Sequence, residues 1–189
     1  MKRVYFAGAL LLAVALIALP AMAQTDAKKE APKPFPGPAA DAIAQWNEIG
    51  RKLIAMAEDF PEDKYDYKPT PDVRSFAEQL LHVAGVNMMY VAAAKGEKLG
   101  EENLPRAQYK TKADVVGVVK KSFADAAAVI KEKGDKGIMA QIKNPFGNEM
   151  TTLYSLALGW TEHSGEHYGQ LVFYYRTSGM VPPESRPKK

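Results

Sequence analysis

Residues 151–177 read TTLYSLALGWTEHSGEHYGQLVFYYRT. Within them Leu153, Leu156, Trp160, His163, His167, Leu171 and Tyr174 recur at steps of three and four, the period of one helix face. An apolar stripe on a helix of this length has to be covered by other helices. Two of its members are histidines four residues apart, which places both rings one turn apart on the core side. A buried imidazole needs hydrogen-bond partners or a metal ion, because an unpaired buried polar group is costly.

Upstream, the same period appears three more times. Val115, Val119, Phe123, Ala126 and Ile130 form the stripe of a third helix, with Thr111 and Asp114 as its cap and Gly134 as its stop. Residues 135–149 hold Pro145 and Gly147 and predict a loop or a short hairpin-like excursion. A second helix opens on the capping box Ser75-x-x-Glu78 and runs to about Lys95. It is apolar almost all round, so it should be the most buried element, and it carries His82. Trp46, Ile49, Leu53, Met56 and Phe60 mark a first helix ended by Pro61. The loop from Glu62 to Arg74 should lay Tyr65 and Tyr67 on the bundle, while 96–110 is polar. Gly179 and the Pro182-Pro183 pair close the fourth helix. Four helices of about 20 residues predict an all-α four-helix bundle.

The first 23 residues stand apart. Lys2 and Arg3, the apolar run Ala7 to Leu19, Pro20 and Ala21-Met22-Ala23 have the layout of a secretory signal peptide. Residues 24–38, with Pro32, Pro34, Pro36 and Pro38, read as an extended tether, and 39–187 as the domain. The mature chain should begin near Gln24 and be periplasmic or secreted, without membrane attachment after cleavage. Removing Lys2 and Arg3 takes the formal net charge from +3 to +1, which gives no electrostatic basis for nucleic-acid binding. With no cysteine, the chain has no disulfide, thiol nucleophile or thiolate metal site.

The chain holds three histidines: His82, His163 and His167. If the fold brings His82 to the pair, three neutral imidazoles could hold a divalent metal; a polar core network without an ion is the alternative. A zincin helix is excluded because Ser164 follows the first histidine of the pair. A di-iron bundle is excluded because Gln79, Trp160 and Ser164 stand three residues before the histidines. Glu162 and Glu166 adjoin the pair but turn about 100 degrees away around the helix. Glu78 could close the capping box or orient His82 from one turn away, the cap being favoured. The catalytic residues stay unknown; Tyr174, Gln170 and Glu78 are weak candidates for a general base.

Three segments together resemble the DinB-like superfamily of helical metalloproteins: Arg74-Ser75-Phe76-Ala77-Glu78-Gln79-Leu80-Leu81-His82-Val83-Ala84, then His163-Ser164-Gly165-Glu166-His167-Tyr168-Gly169-Gln170, with Tyr65-x-Tyr67-x-Pro69-x-Pro71 ahead of them. The resemblance runs from about Ala39 to Arg186. It implies a four-helix bundle of variant up-and-down topology, and a zinc or nickel ion held by His82, His163 and His167. It also implies a homodimer, and a metal-dependent hydrolase or transferase acting on a small molecule that the sequence does not name. The transferases of the family use cytoplasmic thiols, so a hydrolytic role fits an exported chain better. The alternative is a non-catalytic helical module that binds a metal or small ligand, with Trp46, Trp160, Tyr168 and Tyr174 lining a cavity.

Overall fold

The computed structural model describes residues 34–187, so the expected signal peptide and most of the expected tether lie outside the described residues. Four helices dominate: α1 (Pro38–Asp59), α2 (Phe76–Lys95), α3 (Lys112–Ile138) and α4 (Leu153–Thr177). Between α3 and α4 a two-stranded antiparallel hairpin forms, β1 (Gln141–Lys143) with β2 (Met150–Thr152), Ile142 opposite Thr151.

The helix ends follow local chemistry. Ser75 and Glu78 form the expected capping box on α2, and Thr111 and Asp114 form that of α3. Gly96 ends α2 in the left-handed conformation that glycine tolerates best. Thr152 caps α4, so that helix begins at Leu153, the first residue of its apolar stripe, because Thr151 and Thr152 are spent on β2. Gly134 interrupts α3 rather than stopping it. Its φ of 59° breaks the helix, and the chain then makes one further turn that buries Ile138. That turn also brings Asp135 to the start of α1, where its carboxylate accepts from the Ala39 N–H at 2.9 Å.

Each of α1 and α2 packs chiefly on α3 and α4, so α1 lies diagonally opposite α2 and α3 opposite α4, while α2 and α3, though consecutive, are neighbours. Directions follow from which ends meet. Phe60 at the end of α1 stacks on Phe76 at the start of α2 and touches Tyr175 near the end of α4. The Lys112 ammonium, at the start of α3, donates to the Phe60 carbonyl. Taken in order, the helices therefore run up, down, down, up. Because α2 and α3 run the same way, residues 96–111 must travel back along the bundle to join them. That return segment passes over α2 at Gly85, where any Cβ would run into the carbonyl oxygen of Glu102.

The core is continuous through all four helices. At one end an aromatic plug of Phe60, Tyr65, Phe76 and Tyr175 is almost fully buried, and its hydroxyls donate to the carbonyls of Ala57 and Met56. The expected docking of Tyr65 is thus observed. α2 is buried over most of its surface, as its all-round apolar pattern requires.

Candidate metal centre

α2 and α4 run antiparallel past one another, and their histidines meet across that contact. His82 and His167 are buried, and His163 is half-buried. The Nε2 atoms of His82 and His167 each stand 3.1 Å from Nε2 of His163. The three rings lie with centroids 4.5 to 5.1 Å apart. Three ligand nitrogens within 4.8 Å of one another form a group that could hold one ion.

Hydrogen bonding behind the rings decides where their protons sit. Nδ1 of His82 faces Oδ1 of Asn103 at 3.0 Å. That amide is oriented without ambiguity: its oxygen also accepts from the Arg74 guanidinium, and its nitrogen donates to the Glu102 carboxylate. Arginine only donates and a carboxylate only accepts, so the face turned to His82 is an acceptor and Nδ1 carries the hydrogen. Nδ1 of His167 faces Oε1 of Gln79 at 2.7 Å. The Gln79 nitrogen donates to Gln170 and to the Tyr174 oxygen, whose own hydrogen goes to the Arg74 carbonyl. His167 is therefore also protonated on Nδ1. Both rings turn a bare Nε2 lone pair toward the centre.

Nδ1 of His163 is different: it is buried and has no partner. A hydrogen on its Nε2 can serve one of the two facing lone pairs well, not both. A hydrogen on its Nδ1 leaves that donor stranded and three lone pairs converging. A cation among the three Nε2 atoms would take up the converging lone pairs of the second arrangement, so the donor set fits a divalent ion of the imidazole-binding kind.

Burial favours the neutral rings that such binding needs. Desolvation lowers all three histidines below their ordinary range, with Arg74 adding to the effect at each and the neighbouring rings at His163 and His167, and His167 is taken down to about 3.

A cavity of about 380 Å³ opens beside this group, lined by His82, His163 and Glu102 together with apolar side chains from α2, α4 and the hairpin. Of the aromatics expected to line a cavity, Trp160 does so here. Trp46 is instead wholly in the core, its indole N–H donating to the Phe123 carbonyl. Tyr174 borders a separate hollow with Gln79 and Gln170, and Tyr168 lies under the Lys52 ammonium.

The sequence profile of the DinB superfamily matches residues 45–171. The chain belongs to that superfamily. Among solved structures it is similar to YfiT from Bacillus subtilis, described as a probable metal-dependent hydrolase with an unusual four-helix bundle topology. The TM-score is 0.63 at 15% identity, over 79% of this chain and 95% of YfiT. It is also similar to YjoA, a DinB-like protein from Bacillus subtilis, with a TM-score of 0.61 at 19% identity, over 78% of this chain and 99% of that one. No curated protein matches.

The structure brings all three sequence-predicted histidines together and assigns the weaker candidates. Glu78 spends its carboxylate on the Ser75 N–H and on Lys68, so it caps α2 and does not orient His82. Gln170 and Tyr174 act on His167 through Gln79. Asn103 and Glu102 were missed, since both lie in an aperiodic segment far from the histidines in sequence. Gln79 had a visible signal, its place one turn before His82, but in the sequence it counted only against a di-iron site.

Proposed function

We propose that this chain is a metal-dependent hydrolase of a small substrate, with a divalent ion held by His82, His163 and His167. The observation that carries the reading is the pair of bare, inward-facing Nε2 lone pairs fixed by Asn103 and Gln79, beside a cavity large enough for a substrate. When bound, such an ion supplies Lewis acidity, polarising a substrate oxygen and acidifying water. The remaining work falls to the chain. Gln79 and Asn103 hold two rings in the binding tautomer. Burial excludes the protons that would otherwise compete for the imidazoles.

Glu102 is the one carboxylate among the residues lining the cavity, and in this reading it accepts the proton of the attacking water. Full coordination of the ion with no open position would have favoured a non-catalytic binding module; the cavity beside the three histidines supports the hydrolase reading by leaving room for a substrate. A hydrolytic reaction also needs no cytoplasmic thiol, which suits a chain whose first 23 residues read as an export signal.

Elemental analysis of the full-length chain tests the reading, with protein purified from the periplasmic fraction or the medium and compared with His163→Ala, His167→Ala and Glu102→Gln. The expected result is near-stoichiometric divalent metal in wild type and Glu102→Gln, and little in the two histidine variants. Equal metal content in all four proteins overturns it.

A further inference from the structure

The cavity beside His82 and His163 has a composition that speaks to its occupant. Val86 and Met89 from α2, Leu156 and Trp160 from α4, and Phe146 from the hairpin turn give it apolar walls. The Phe146 ring meets Trp160 edge-on at 5.5 Å while 54% of the residue stays exposed, so the hairpin supplies a wall at the mouth rather than a core contact. The polar lining groups, Glu102 and Ser155 apart, are the two histidines themselves. Neither lysine nor arginine is among the lining residues, which argues against a phosphate ester, whose extra charge calls for such donors.

Gly159 adds the second observation. It lies in the interior of α4, where glycine costs about 1 kcal/mol relative to alanine. A Cβ there would meet nothing within 4 Å, so no packing contact requires the glycine. Gly165 and Gly169 on the same helix have similar open space, but of the three only Gly159 lines the cavity. A bare backbone at this point leaves depth that any side chain growing from it would fill.

We propose that this cavity takes the apolar acyl group of a carboxylic ester or amide, and that Gly159 sets the length of acyl chain admitted. The inference rests on the hydrolase reading above. For an ester the balanced step is simple. Water oxygen forms a bond to the acyl carbon, and the bond from that carbon to the alkoxy oxygen breaks. The water proton reaches the departing alkoxide by way of Glu102, giving a carboxylic acid and an alcohol.

Calorimetric titration of the zinc-loaded full chain with butanoate, hexanoate and octanoate, the product side of such a reaction, tests the assignment. Each added methylene should tighten binding about fourfold until the cavity is full. Gly159→Leu should keep its zinc and its helical circular dichroism, yet lose at least tenfold for octanoate and little for butanoate. Where Gly159→Leu does not fold, Val86→Phe narrows the same cavity from α2 and should show the same selective loss. Affinity independent of chain length, or a folded narrowing variant that binds octanoate like wild type, overturns the proposal. Elemental analysis separates this failure from that of the hydrolase reading. Zinc present without a chain-length gain removes the acyl assignment alone. A gain seen in protein that takes up no metal supports the apolar site and removes the catalytic reading.

Discussion

The start of α2 and its middle are two turns apart, and they are built on opposite terms. At the start, Phe76 is fully buried in a plug of stacked rings, and the hydroxyls of Tyr65 and Tyr175 are spent on backbone carbonyls. In the middle, His82 joins a cluster in which two rings are pinned from behind, one ring nitrogen has no partner, and an open cavity lies alongside. The plug is arranged for the folded state alone. The cluster leaves the folded state with an unmet demand that a cation would fill, which is how a binding site differs from a core.

The sharpest way to break that contrast is to damage the plug. Phe76→Ala removes a fully buried ring stacked at 3.8 Å on Phe60, and should cost about 3–5 kcal/mol in chemical denaturation. A loss well under 1 kcal/mol would mean that the plug does not carry the stability assigned to it. Next comes the support behind the cluster. Gln79→Leu frees the His167 ring and should weaken metal affinity about 10–100-fold in a chelator competition. Unchanged affinity would show that the His167 tautomer is set by something else.

The remaining test is of pH dependence. In the metal-free protein the folded histidines have lowered pKa values, so the unfolded chain takes up protons first as the pH drops through 6.5. Stability should therefore be flat above that value and fall as pH is lowered toward about 3, where folded His167 at last protonates. Replacing His167 with glutamine should flatten part of that fall. An identical acid profile in wild type and variant would place the sensitivity in other groups.

Much of this was legible along the chain. The stripe of α4, the capping boxes at Ser75 and Thr111, and the all-round apolar α2 are local patterns, and each formed where its residues indicated. Gly134 was legible as a break but not as an interruption, because the extra turn behind it is held by the burial of Ile138, a tertiary contact.

The sequence by itself determined the four helices, the superfamily, and the spacing that put His163 and His167 on one face. Helical periodicity is local, and a three-to-four-residue repeat records it directly. Only the tertiary structure decided that His82 meets the pair, that Gln79 and Asn103 fix their protons, and that Glu102 stands in the cavity wall. Those outcomes depend on α2 and α3 running in the same direction, which sends an aperiodic segment back across Gly85 and onto the histidines. No repeat in a sequence encodes the path of such a return.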